Sequence, residues 1–314
     1  MCASTLTRRT FLEQGLIASA GVGVGAAGSG ASQAAALSAQ AKEGDTVNHA
    51  TPIPLKIGHR AASMKMVGDF DVFKVARQMS GLMGVELQVT GGNPNLRDWD
   101  AVRRYKREAL RWGMMIPSLA GTWDRGVSML SGKDARDNLV QAVRVAEFLG
   151  AGVILAAFFK EKAPDMSDES SYGPAVDALQ AAAPQASEAG VVIGLENSLS
   201  PADNKKLVDL VAHPAVKVYY DPHNMAFYGH GVEAVPGIKL LGKERICQVH
   251  VKNADKPIEE PGLVDWTAAF KALNNIGYEN WFVFESQHDS REALIEDTAR
   301  NISFMEAHCN MPMA

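Results

Sequence analysis

The chain has 314 residues, of which 46% are apolar and 21% charged, and its formal net charge is −5. That length suits one large globular domain, and an acidic balance without a basic block excludes sequence-independent nucleic-acid binding, which needs a phosphate-neutralising patch. The cysteines Cys2, Cys247 and Cys309 are too scattered for a disulfide framework or a zinc motif, so Cys247 and Cys309 are expected as buried, unpaired thiols.

Residues 1–41 read as a leader outside the fold. Thr7-Arg8-Arg9-Thr10-Phe11-Leu12 resembles a twin-arginine export motif, and an Ala- and Gly-rich apolar run follows from Leu16 to about Leu37. Ala39-Gln40-Ala41 supplies a small-x-small cleavage pattern, which places a new N-terminus near Lys42. The expectation is an exported, periplasmic protein with no stable membrane anchor after cleavage, because the run is too rich in Gly and Ser for a spanning helix. Residues 42–53 lack periodicity and read as a linker, leaving 54–309 for a single domain.

From Pro54 onward, strand-like and helix-like stretches alternate. Leu55–His59 predicts a first strand and Phe70–Ser80 a helix; Gly84–Val89 predicts a second strand, followed by a helix over Trp99–Trp112. Met114–Leu119 reads as the third strand, although it contains Pro117, and Lys133–Leu149 as the next helix. Val153–Phe159 is a continuous apolar run suited to a parallel strand buried on both faces. A helix over Ala175–Ala189 follows, with Gly190 at its C-terminal cap. The last four strands end at Glu196, Asp221, His250 and Glu285, with helices near Asp203–Val211, Val232–Leu241, Trp266–Asn275 and Ser290–His308. Eight such units point to an α/β fold, a (β/α)₈ TIM barrel, which usually takes about 250 residues. An open doubly wound sheet is the alternative, but no Gly-rich phosphate loop follows the first strand.

The four residues that close the last strands are separated by 25, 29 and 35 residues, about one strand, loop and helix each. In a barrel the carboxyl ends of the strands surround one mouth, so Glu196, Asp221, His250 and Glu285 converge there. Three carboxylates and an imidazole so placed repel one another unless a divalent cation lies between them. One such residue alone would more often form a salt bridge or a helix cap. Hard oxygen donors with one imidazole favour Mn²⁺ or Mg²⁺ and leave Zn²⁺ open.

The segments Gly194-Leu195-Glu196-Asn197, Tyr220-Asp221-Pro222-His223-Asn224 and Val249-His250-Val251-Lys252-Asn253 resemble the xylose isomerase-like barrels known as sugar phosphate isomerases and epimerases. Asp265-Trp266, Ile276-Gly277-Tyr278 and Phe284-Glu285-Ser286 extend the resemblance. It implies that Glu196, Asp221, His250 and Glu285 hold one divalent ion, commonly Mn²⁺, Mg²⁺ or Co²⁺. It also implies that Glu196 and Glu285 act as ligand and acid/base together. An ion there can bind a carbonyl and an adjacent hydroxyl and acidify the C–H between them, so that the two glutamates move a proton through an enediolate.

Lys252 lies two residues after His250, faces the same side of its strand and fits the family's His-x-Lys pattern, so it is expected on a substrate oxygen. Asn253 stands where many relatives have aspartate. His223 comes two residues after Asp221, and Asn224 occupies the position where several relatives carry histidine. His223 is therefore open as a second ligand, a substrate contact or a loop residue. Glu86, His59 and Asn197 are further candidates for substrate binding, against the competing reading of buried hydrogen-bonded groups. Trp123, Trp266, Phe158 and Phe159 could wall a sugar face, though aromatics more often form core.

The leading expectation is a metal-dependent isomerase or epimerase of a small carbohydrate. Export argues for a non-phosphorylated sugar or keto-sugar. A lyase or hydratase acting on a 3-keto-glycoside would use the same site, and a non-catalytic sugar-binding barrel is a third reading. A three-zinc phosphodiesterase is disfavoured by the few histidines, eight in all. The oligomeric state is left open.

Overall fold

Eight apolar runs form parallel strands that close into a barrel in sequence order. They are β1 (Ile57–Arg60), β2 (Gly84–Gln88), β3 (Ser118–Ala120), β4 (Val153–Phe158), β5 (Val192–Asn197), β6 (Val216–Tyr220), β7 (Ile246–Val251) and β8 (Phe282–Phe284). The structure is a computed structural model that describes residues 55–309. The twin-arginine leader, cleavage point and linker expected over residues 1–53 lie outside the described residues.

Helices α1 (Val72–Ala76), α2 (Trp99–Trp112), α3 (Lys133–Leu149), α4 (Glu169–Glu188) and α5 (Pro201–Val211) follow the first five strands. After β6 come a short α6 (Pro222–Met225) and then α7 (Pro236–Arg245), with α8 (Trp266–Asn275) and α9 (Arg291–Cys309) completing the ring. The expected (β/α)₈ fold is therefore present. No helix among the described residues is long and apolar enough to cross a membrane. Cys247 and Cys309 are buried and unpaired, as expected.

Several boundaries differ from expectation for local reasons. The third strand begins only at Ser118, because Pro117 has no N–H to give to the ladder. Met115 still makes an isolated bridge to Gly84. Helix α4 begins at Glu169, earlier than expected, because the Asp168 side chain caps the Ser170 amide and the helix runs through Pro174. Helix α7 starts late, at Pro236, whose fixed φ suits a first helical position.

Side chains alternate across each strand, and that parity decides which residues enter the barrel. Glu86, Ser118, Tyr219 and Gln248 point inward and build a buried polar layer. Glu86 Oε2 accepts from Ser118 Oγ at 2.7 Å and from the Tyr219 hydroxyl at 2.8 Å. Gln248 Nε2 donates to both of those hydroxyl oxygens, at 2.8 and 3.0 Å. The outward faces carry the apolar side chains that pack beneath the helices, including Phe284, Leu195 and Tyr220.

Candidate active site

Glu196 near the end of β5, Asp221 just after β6, His250 in β7 and Glu285 just after β8 each offer a ligand atom, and these atoms lie within 4.8 Å of one another. Parallel register places them at one end of the barrel. His250 Nδ1 is the hub, 3.0 Å from Glu196 Oε1, 3.3 Å from Glu285 Oε2 and 4.0 Å from Asp221 Oδ2. Its other nitrogen, Nε2, faces Glu86 Oε1 at 3.4 Å. A carboxylate behind the ring that fixes its tautomer is the usual companion of a metal-binding histidine.

Two cations reach into the cluster. Lys252 Nζ lies 2.6 Å from Glu285 Oε2 and 2.7 Å from Asp221 Oδ2. Arg60, at the end of β1, pairs with Glu285 Oε1 and stands 3.4 Å from Glu86 Oε1. Burial alone would suppress charge here, yet the opposite charges prevail. Burial disfavours the imidazolium, but Glu196 and Glu86 raise the His250 pKa to about 9. Burial likewise pushes Glu86 and Glu196 upward, and the adjacent His250 outweighs it, holding each down to about 2.

The donor set fits a divalent cation. Four carboxylates (Glu86, Glu196, Asp221 and Glu285) carry four negative charges, and Arg60 and Lys252 supply two positive ones. A divalent ion on neutral His250 closes the balance. Asp221 Oδ1 accepts the Asn224 amide at 2.9 Å, whereas its buried Oδ2 has no hydrogen-bond partner, the Lys252 ammonium beside it lying outside bonding geometry. That oxygen is free to coordinate a cation.

The other expected residues divide. Lys252 and His223 line the mouth cavity, which has a volume of about 850 Å³. His223 has a buried Nδ1 without a partner, and burial lowers its pKa. Glu86 does not reach the mouth; it is fully buried and braces His250 from below. His59 faces away from the barrel interior, beside Phe284 and His288, because inward parity on β1 belongs to Gly58 and Arg60. Asn197 also points outward, where its amide exchanges hydrogen bonds with Asn204 and accepts from the Leu199 amide. Trp123 and Trp266 bond the carbonyls of Ala157 and Lys252, so they brace the frame.

Two residues that touch the cluster were not foreseen. Arg60 was one strand parity away from the expected His59. Asn224 donates its side-chain amide to Glu196 Oε1 at 2.8 Å while its backbone is capped by Asp221. Asp-Pro-x-Asn is a helix-start signature, which could have shown that Asp221 and Asn224 share a turn.

Residues 73–308 match the family described as the xylose isomerase-like TIM barrel. The chain belongs to that family. The putative L-ribulose-5-phosphate 3-epimerase of Escherichia coli (strain K12) is 28% identical to it over 255 residues, covering 71% of this chain and 85% of that protein. D-psicose 3-epimerase from Clostridium cellulolyticum H10 superposes with a TM-score of 0.69 at 16% identity, over 82% of this chain and 100% of the other. The 3-keto-D-glucoside 4-epimerase of E. coli does so with a TM-score of 0.63 at 12% identity, over 81% and 99%. At such identities the two structures establish the shared barrel, and the family's chemistry must be argued from the residues.

Proposed function

We propose that the protein is a metal-dependent isomerase or epimerase of a non-phosphorylated sugar or keto-sugar, working through an enediolate. The observation that carries this reading is the convergence of Glu196, Asp221, His250 and Glu285 at the barrel mouth, with Glu86 orienting the imidazole. These four residues would hold one divalent ion, Mn²⁺, Mg²⁺ or Co²⁺ by its oxygen-rich donors, with Zn²⁺ also compatible. When bound, the ion supplies Lewis-acid polarisation of a substrate carbonyl and its neighbouring hydroxyl.

The chain's own groups do the rest. Glu196 and Glu285 approach His250 Nδ1 from different strands, and in our reading they remove and return the proton on the carbon beside the carbonyl. Asn224 fixes Glu196, and Arg60 fixes Glu285, so each base is held in one orientation. Lys252 and His223 face the cavity and serve the substrate oxygens. The similarity to sugar epimerases supports proton transfer beside a carbonyl as the reaction class.

The absence of a phosphate on the substrate rests on two arguments. The leader is proposed to send the protein to the periplasm, away from sugar phosphates. In the cavity, Arg60 and Lys252 are already paired with carboxylates, which leaves Lys65 as a weak anchor for a dianion. Elimination from a 3-keto-glycoside would use the same proton abstraction.

The test is NMR-monitored exchange in D₂O, with Mn²⁺-loaded protein and a panel of free ketoses, aldoses and 3-keto-glycosides, and Glu285→Gln as control. Deuterium entering beside the carbonyl, with an epimer or isomer appearing, is the expected result. Release of an aglycone instead would make the protein a lyase. Exchange with none of them, despite one tightly held ion, would sink enediolate chemistry on these sugars.

A further inference from the structure

The cavity above the cluster is larger than that chemistry requires. Its 850 Å³ lie toward the upper end of the ~300–1,000 Å³ typical of sites for drug-sized ligands, and one sugar ring would fill only part of it. The cavity is also two-sided. Arg60, Lys252, Glu285 and Asn224 line its polar part, whereas Phe227 and Tyr228 form an aromatic wall.

That wall comes from the turn Ala226–His230 directly after α6, inside which Tyr228 and Gly229 leave the helical backbone, Gly229 with a φ of 97°. Tyr228 stacks on Phe159, just past β4, with ring centroids 5.3 Å apart and planes 22° apart. The stack ties the loop after β6 to the end of β4 and holds the Tyr228 ring in place. Phe227 meets Tyr228 edge-on at 5.1 Å and is 62% exposed. An apolar ring left in water beside a charged cluster, when burial would stabilise it, is a surface suited to a ligand.

We propose that Phe227 and Tyr228 form a second subsite, which takes the ring-bearing group of a glycoside while its sugar lies at the cluster. This rests on the reading of the cluster as the sugar site. The shared chemistry is a ring with a flat apolar face, whether an aryl aglycone or a second sugar, because either can pack on an aromatic ring. A free monosaccharide or a methyl glycoside has no such group to place there.

The test compares methyl glycosides, phenyl glycosides and disaccharides of the same sugars (glucose, galactose and xylose), titrated calorimetrically into the full chain loaded with Mn²⁺. For whichever sugar binds, the phenyl glycoside is expected to be about three- to tenfold tighter than the methyl glycoside. Phe227→Ala should bring that ratio close to one, and saturation transfer should be strongest on the phenyl protons. Leu110→Ala, which removes an exposed apolar side chain on α2, should leave the ratio intact. A disaccharide tighter than the phenyl glycoside would assign the subsite to a second sugar, and the reverse order to an aryl group.

Equal affinity for methyl and phenyl glycosides would overturn the proposal. So would a phenyl advantage that survives both Phe227→Ala and Tyr228→Ala, or a failure of every glycoside to bind. Deuterium exchange on free keto-sugars separates this from the chemistry at the cluster. Exchange without a phenyl preference defeats the subsite alone, and a phenyl preference without exchange defeats the enediolate reading alone.

Discussion

His250 and Glu86 meet at 3.4 Å, imidazole Nε2 to carboxylate Oε1, deep in the barrel and on the far side of the ring from Glu196 and Glu285. Glu86 is itself held by Ser118 and Tyr219, so the ring plane is set by three strands besides its own. An acceptor at Nε2–H favours the tautomer whose Nδ1 lone pair is free for an ion.

Glu86→Gln should therefore lower metal affinity by about 10–100-fold, the usual cost of losing a carboxylate behind a metal-bound histidine. Titration with Mn²⁺, read calorimetrically, is the measurement. Unchanged affinity in a folded variant would show that Glu86 serves only the polar layer.

Arg60 joins Glu285 to Glu86 and has no sequence neighbour among the four clustered residues. Arg60→Gln should lower kcat by at least about tenfold, since a misoriented base loses much of its acid/base contribution. Arg60→Lys should recover only part, because an ammonium cannot span both carboxylates as a guanidinium does. Equal rates for all three proteins would remove Arg60 from the machinery.

Removing the ion should expose the repulsion among Glu196, Asp221 and Glu285. With the metal at one hundred times its Kd, linkage makes the holoprotein more stable by about 2.7 kcal/mol, which for a barrel of this size corresponds to roughly 5–10 °C in Tm. Scanning calorimetry before and after a chelator, then with Mn²⁺ restored, tests this. A Tm indifferent to the ion would mean that the cluster does not bind it under those conditions.

Stability of the chelated protein should fall on both sides of about pH 6.5. Burial, helped by His288, lowers the His59 pKa from 6.5 to about 3, so the unfolded chain takes up the proton first. The stability His59 contributes is complete above pH 6.5 and is lost as pH falls toward 3, with His223 acting in the same direction. Glu86 and Glu196 add to this loss only below their ordinary value of 4.5. His250 has the opposite sign. Its raised pKa contributes stability that is complete below 6.5 and is lost as pH rises through about 9. Urea midpoints against pH should show both limbs, His59→Gln should flatten the acid limb between pH 4.5 and 6.5, and Mn²⁺ should remove the alkaline one. An acid limb unchanged by His59→Gln would contradict the first assignment.

Much of this molecule was legible without coordinates, and what was legible shares one property. Strand ends are marked by where an apolar run stops, so Glu196, Asp221, His250 and Glu285 could be read in one dimension. The order of strands and helices could be read in the same way, because periodicity and turn residues are local signals. Side-chain direction is not local. On β1, His59 and Arg60 are adjacent, and the register of that strand against β2 and β8 alone decides that the arginine enters the barrel and the histidine leaves it. Likewise Glu86 could be read along the chain only as a candidate substrate contact or a buried hydrogen-bonded group, and its place behind His250 depends on strands far apart in sequence meeting across a closed interior. Asn197 and Asn224 exchanged expected importance for the same reason: one points out toward α5, and the other lies on the turn that Asp221 caps. Composition and periodicity determined the barrel and the ring of acidic and imidazole side chains at its mouth, whereas tertiary closure decided which neighbours hold them, because a one-residue change of parity moves a side chain to the opposite face of a strand.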